Sequence, residues 1–270
     1  MSVKLSTQSR VAVTGSKGNQ EKWEKDGRWY KVDADGYEGL AETVVSSLLK
    51  YTNVTEPGFH YVSYRMEKLD VHKHIRTGCS SENFLASGDS IITVADLLKK
   101  GIGSEWIDSI NRLPNIRSRI EWLVKNVESL TGLNLFGKYL TLLFETDMLF
   151  LNEDRHLNNI AVIRREGKFI YCPFFDFGAG LLSNVRDYPM DVIPKGLASQ
   201  VKARPMECGF TRQVHAAQEL YGKQLTFSFS ETDIDAVLDD ALIYYPERDR
   251  ALIRDRVKYC ISYQHRKLEL

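Results

Sequence analysis

Two short segments constrain this chain more than any other feature: Asn152-Glu-Asp-Arg-His-Leu-Asn-Asn159, and after it Phe174-Phe-Asp-Phe-Gly178. The first follows directly on the most apolar run of the sequence, Leu133–Leu151, which reads as a buried helix. A loop rich in Asp and Asn therefore starts where a core element stops. Between the segments, Ile160–Arg164 and Lys168–Cys172 have strand length and composition and predict a β hairpin. Asp154 and Asn159 lie five positions apart, and Asn159 and Asp176 seventeen. Asp-Phe-Gly by itself is usually a turn, and Asp-Arg-His by itself a solvated loop. Joined by a hairpin at this spacing, they are hard to obtain by chance.

Carboxylate and amide oxygens suit magnesium, which makes Asn159 and Asp176 candidate metal ligands. Gly178 relaxes the backbone on the turn that carries Asp176. Phosphoryl transfer to a hydroxyl needs a cation on the phosphates, a carboxylate facing the acceptor, and donors that position the β and γ phosphates. Asp154 fits the second role.

The rest of the chain supplies a frame for such a site. Val11–Val13 and Arg28–Val32 read as strands, with Gly15–Gly18 as a turn between them. A helix opens near Tyr37, with Leu40, Ala41, Val44, Val45, Leu48 and Leu49 on one stripe. Two strands are expected around Tyr61–Arg65 and Val71–Ile75, then a connecting loop over Thr77–Ser90. Thr93–Lys100, Arg117–Thr131 and Leu133–Leu151 read as helices. Helices return from Thr211 onward, including Glu231–Ile243, with Ser230 or Thr232 as cap, and Glu247–Arg266 after Pro246. The layout is a small β-rich part with one helix, then a larger helical part.

Composition narrows the function classes. Of 270 residues, 43% are hydrophobic and 27% charged, enough to bury a sizeable core. The 36 basic and 36 acidic side chains cancel, which argues against nucleic acid or an anionic membrane as a bulk partner. Lys138, Glu145 and Asp147 interrupt Leu133–Leu151, so no run spans a bilayer, and Met1–Val13 lacks the apolar core of a signal peptide. Cys79, Cys172, Cys208 and Cys260 form no Cys-x-x-Cys pair, as expected of free thiols in a reducing cytoplasm.

The arrangement Asp154-Arg-His156…Asn159…Asp176-Phe-Gly178 resembles the kinase branch that contains the phosphoinositide kinases and the bacterial HipA-type serine/threonine kinases. The Asp–Asn offset is that of the protein-kinase catalytic loop, although the order here is Asp-Arg-His rather than His-Arg-Asp. Gly15-Ser-Lys-Gly-Asn-Gln20, Trp29-Tyr-Lys31 and Tyr37-Glu-Gly-Leu-Ala-Glu42 are closer to the HipA side, especially its compact CtkA-type relatives. The resemblance covers roughly residues 10 to 185. It implies an α+β, two-lobed kinase fold with a β-rich lobe over 1–85 and a helical lobe over 86–270.

It also implies the partners and roles. ATP and magnesium would be the cofactors, and a Ser/Thr-bearing protein the acceptor. Asp154 would face the acceptor hydroxyl, Asn159 and Asp176 would hold the metal, and Lys31 would contact the α and β phosphates. The acidic partner of Lys31 would be Glu38 or Glu42, one turn apart, with Glu38 favoured because a carboxylate suits a helix start. Gly15, Ser16, Lys17 and Gly18 could cradle phosphates through their amides or form an ordinary hairpin turn. Ser16 is the candidate autophosphorylation site. The adenine would lie within Met66–Phe84, where Gly78–Phe84 reads more readily as a surface loop.

For several residues the plainer role is preferred. His156 would hold the catalytic loop by a hydrogen bond rather than polarise the acceptor, and Arg155 would fix the same loop through several carbonyls. His72-x-His74 reads as a pair of exposed strand histidines. Tyr244, Tyr245 and Tyr259 read as helix packing, and Lys195, Lys202, Arg204 and Arg212 as a solvated basic cluster. The alternatives to a protein kinase are a lipid or small-molecule kinase and a catalytically silent ATP-binding module. The resemblance further implies an antitoxin or other regulatory partner, or export as an effector. The apparent lack of the extra amino-terminal subdomain of full-length HipA argues against pairing in the HipA manner.

Overall fold

The computed structural model describes residues 2–5, 10–11 and 22–268. The segment expected to form the Gly15–Gly18 turn, with Ser16 and Lys17, lies outside them, as does most of the Val11–Val13 strand.

The first sheet has six strands: β1 (Val3–Leu5), β2 (Arg10–Val11), β3 (Lys22–Lys25), β4 (Arg28–Val32), β5 (Tyr64–Val71) and β6 (His74–Glu82). Their order is β1-β5-β6-β4-β3-β2, antiparallel except for the β1–β5 pair. Helix α1 (Glu38–Leu49) packs on β4, β5 and β6. It buries ten of its residues, more than its single stripe implied, because the later helix Glu231–Leu242 also packs on it.

β6 corrects the reading of Thr77–Ser90 as a loop. The first part of that stretch, Thr77–Glu82, is in a central strand, paired with β5 on one side and β4 on the other, while residues 83–89 are loop as expected. Its Thr-Gly-Cys-Ser-Ser composition has low strand propensity, but the small residues serve the packing. A Cβ on Gly78 would lie 2.1 Å from the Lys31 carbonyl oxygen, and one on Gly39 2.8 Å from the Gly78 carbonyl carbon. Backbone meets backbone here, so α1 sits close to β6, and β6 close to the strand that carries Lys31. The expected Val71–Ile75 strand is instead the β5–β6 hairpin turn. His72 and Lys73 are left-handed there (φ 51° and 68°), and His72 and His74 are exposed.

A second sheet, ordered β7-β8-β9, contains β7 (Ser90–Thr93), β8 (Ala161–Arg165) and β9 (Lys168–Tyr171). The hairpin of β8 and β9 falls within a residue of its expected limits. The remaining helices are α2 (Val94–Gly101), which packs on β7, α3 (Trp106–Asn111), α4 (Ile116–Thr131), α5 (Phe136–Leu149), α6 (Pro194–Ala198), α7 (Phe210–Tyr221), α8 (Glu231–Leu242) and α9 (Glu247–Leu268). The α5 helix is the apolar run read from the sequence, and nearly every residue on it is buried. Of the two cap candidates, Ser230 forms a capping box with Asp233; Thr93, read as the first helical residue, is instead the cap of α2 and accepts from Asp96 N. All four cysteines are free. Among the described residues, no helix is long and apolar enough to cross a membrane.

Candidate active site

The catalytic-loop candidate hangs from the end of α5, and its geometry is set by two residues that carry charge into the core. Asp147 on α5 is 1% exposed and Arg155 is 0% exposed. The Arg155 guanidinium grips Asp147 at both oxygens (2.9 and 3.0 Å) and donates to the main-chain carbonyls of Asn159 (2.9 Å) and Phe175 (2.6 Å). One side chain thus joins α5, the loop and the segment just before Asp176, which agrees with the structural role read for Arg155. Burial pushes the Asp147 carboxyl up, and Arg155 opposes it. Asn152 reinforces the joint, donating to Asp147 Oδ1 at 2.7 Å.

Asp154 and Asn159 face one cavity together with Asp176. Asn159 Nδ2 donates to the Asp154 carbonyl at 2.8 Å, which leaves the amide oxygen for a cation. Among the described residues, no group of three His, Cys, Asp or Glu side chains could hold a metal alone. An Asn oxygen and one carboxylate are nevertheless the donor set magnesium uses when phosphates supply further ligands. The residues fit that ion.

His156 Nδ1 accepts from Asn158 N at 3.2 Å, and Nε2 lies 3.6 Å from Asp154 Oδ2. The first contact holds the loop turn; the second is too long for a strong hydrogen bond. Burial raises the Asp154 carboxyl, and the neighbouring His156 and Arg204 counter this.

Lys31, on β4, is buried and paired with two carboxylates. It contacts Glu42 Oε1 and lies 2.7 Å from Asp176 Oδ1. The favoured assignment of Glu38 as its partner is therefore corrected: the pair is Lys31–Glu42. Glu42 lies on the face of α1 turned to the sheet and is 0% exposed. Glu38, one turn earlier, accepts instead from Asp35 N at 2.7 Å and lines the cavity. The helix-start argument located a carboxylate that caps its own turn, whereas the neighbouring stripe residues Ala41 and Val45 marked the inward face.

Burial alone would raise the Asp176 carboxyl, but Lys22 (3.6 Å) and Lys31 hold it well below the usual carboxylate range. Burial would lower the Lys31 ammonium, but Asp176 and Glu42 keep it well above its ordinary value, so it is charged at any working pH.

Several residues at the site carried little signal in the sequence. Arg204 was read as part of a solvated cluster, yet Nη1 donates to Asp154 Oδ1 at 3.1 Å, and Lys202 lines the same cavity. Tyr245, read as packing, donates to Asp33 Oδ2 at 2.6 Å, while Asp33 Oδ1 accepts from Gly39 N at the start of α1. Tyr37 donates to the carbonyls of Leu181 and Leu182, tying α1 to the segment after Asp-Phe-Gly. Arg256, buried on α9, donates to the carbonyls of Tyr188 and Pro189 further along it. Asp147 did carry a signal: a carboxylate inside the most apolar helix must have a partner.

No protein-family model matches the sequence, and no curated protein matches it either. Among solved structures, the chain is similar to the Helicobacter pylori proinflammatory kinase CtkA, with 12% sequence identity and a TM-score of 0.64. That match covers 100% of this chain and 99% of CtkA. A slighter similarity, with a TM-score of 0.45 and 12% identity, covers 98% of this chain and 67% of a chain from the Shewanella oneidensis MR-1 HipA–HipB–operator DNA complex. At such identities the likeness speaks to architecture, and the chain has the two-lobed, kinase-like α+β fold of CtkA.

Proposed function

We propose that this chain is an ATP- and magnesium-dependent kinase that transfers the terminal phosphate to Ser or Thr hydroxyls of a protein. One observation carries the reading: Asp154, Asn159 and Asp176 converge on a single cavity, beside a Lys31 already held by Glu42 and Asp176.

Each residue then has a task that its surroundings favour. Asp154, on a loop fixed by Arg155, orients the acceptor hydroxyl and takes its proton as the hydroxyl oxygen bonds the γ-phosphorus and the bond from that phosphorus to the bridging oxygen breaks, releasing ADP. Lys31 stays charged and presents its ammonium to the α and β phosphates while Glu42 holds it in place. The Asn159 amide oxygen and the Asp176 carboxylate would hold magnesium, which when bound neutralises phosphate charge. Glu38 flanks the phosphates, and Gly15, Ser16, Lys17 and Gly18 would cover them. Autophosphorylation at Ser16 belongs to the same proposal, as does a lobe boundary near residue 85, between the two sheets.

The test is transfer of label from γ-labelled ATP, with magnesium, to the protein itself and to a bacterial lysate. Asp154→Asn and Asp176→Asn should each reduce transfer at least about a thousandfold while circular dichroism is unchanged. Transfer that persists in both variants would refute the reading.

A further inference from the structure

Beside the catalytic cavity lies a second recess of about 660 Å³, of a different character. Its walls are largely apolar: Trp106, Ile107 and Ile110 from α3, Leu157 from the catalytic loop, and Pro205 and Met206 from the turn before α7. Ile107 is 50% exposed, a large aliphatic side chain left in water next to the catalytic loop. The two spaces are contiguous. Arg204 and Glu207 line both of them, and His156, which lines the recess, is 3.6 Å from the Asp154 carboxylate.

Both walls are fixed from behind. The turn carrying Arg204, Pro205 and Met206 is closed by a two-way backbone bridge between Ala203 and Cys208. The fully buried Gln213 clamps it by donating to the Arg204 carbonyl (3.0 Å) and accepting from Met206 N (3.1 Å). On the other side, Arg119 donates to the Asn111 and Leu113 carbonyls at the end of α3. A preformed apolar recess opening onto a charged catalytic cavity suits a ligand that is polar at one end and apolar a short distance away.

We propose that this recess binds a bulky aliphatic or aromatic side chain of the acceptor polypeptide, a few residues from the phosphorylated Ser or Thr. The inference rests on the kinase reading above and adds the acceptor's class. The walls of the catalytic cavity include several ionic side chains (Glu153, Asp187, Lys202, Arg204, Glu207), so a small hydroxyl compound would be satisfied there and gain nothing from the recess. An extended chain, advancing about 3.3 Å per residue, can place its hydroxyl at Asp154 and a neighbouring side chain on Ile107 and Met206.

The experiment is an array of Ser/Thr peptides in which each position flanking the acceptor is varied among Leu, Phe, Gly and Glu. Phosphatidylinositol vesicles form a parallel arm, and ADP release is followed in both. At one or two flanking positions Leu or Phe should exceed Glu by about tenfold. Ile107→Glu, a change at an exposed position, should abolish that preference. It should also raise KM for the favoured peptide about tenfold, with kcat and the KM for ATP within about twofold of wild type.

Flat preferences at every position, or an Ile107→Glu enzyme with unaltered selectivity, overturn the docking site while leaving the kinase standing. Label entering the lipid rather than any peptide, or ADP released with no peptide labelled, overturns the docking site together with the protein acceptor of the reading above, and leaves only ATP turnover standing. An enzyme that neither releases ADP nor transfers label overturns both readings.

Discussion

The assignment of Glu42 rather than Glu38 to Lys31 can be tested by a double-mutant cycle read as folding free energy. Lys31→Met and Glu42→Gln preserve shape closely, so the cycle isolates the charge contact. Removing one partner of a buried ion pair costs about 3–5 kcal/mol, because the other charge is left without compensation. Here the loss is cushioned, since Lys31 keeps Asp176 at 2.7 Å and Asp176 keeps Lys22 at 3.6 Å. We therefore expect about 2–3 kcal/mol for either single substitution. The double variant loses the same contact only once, so it should cost about 2 kcal/mol less than the sum of the singles. The parallel cycle of Lys31→Met with Glu38→Gln should show coupling below about 0.5 kcal/mol, because Glu38 bonds to Asp35 N and not to the lysine. Urea denaturation followed by circular dichroism supplies all the values. A coupling with Glu38 equal to or larger than that with Glu42 would refute the placement of α1 against β4.

Two other perturbations test the surroundings of that helix. Burial pushes the Asp33 carboxyl up to about 7, despite the hydrogen bonds from Tyr245 and Gly39 N. Because the folded value lies above the unfolded one, the stability Asp33 contributes is complete below about pH 4 and is lost as pH rises to about 7, at most about 4 kcal/mol in all. Urea midpoints should fall over that window more steeply for wild type than for Asp33→Asn; parallel slopes would exclude Asp33 as the titrating group. Gly78→Ala places a Cβ 2.1 Å from the Lys31 carbonyl oxygen and should lower stability by about 2 kcal/mol or more, whereas Gly196→Ala, with open space around it, should stay within about 0.5 kcal/mol. Equal denaturation midpoints for the two variants would contradict the close contact of β6 with β4.

The parts of this molecule that were legible in the sequence are those whose signal is local. The α5 helix was marked by the richest apolar run of the chain, the β8–β9 hairpin by strand-length runs, and Asp154, Asn159 and Asp176 by spacing along one continuous stretch. What escaped was decided by distant neighbours. β6 reads as a loop because its residues are small, and they are small because α1 and β4 press on them. The choice between two glutamates one turn apart depended on how α1 is rotated about its axis, which the helix-start argument ignored. Arg204 looks like a surface cation until the chain folds back, 50 residues after Asp154, to set it on that carboxylate. A lone basic residue in a loop carries no mark of such a destination.

The backbone at Asp176 shows why these long-range contacts are needed. Its φ is +62°, in the left-handed region that Asp enters more readily than most residues but still at a cost of about 1–2 kcal/mol. Strain of this kind persists where surrounding contacts over-determine the conformation. The next residue, Phe177, donates its N–H to Glu42 Oε2 at 2.8 Å, while the other oxygen of the same carboxylate holds Lys31. On the far side, the Phe175 carbonyl is fixed by Arg155. The strained residue is thus pinned before and after by two fully buried charged side chains, one from each sheet's side of the site. Glu42 consequently does more than neutralise a lysine. It couples the rotation of α1, the position of Lys31 and the direction in which the Asp176 carboxylate points, so that none of the three can shift alone.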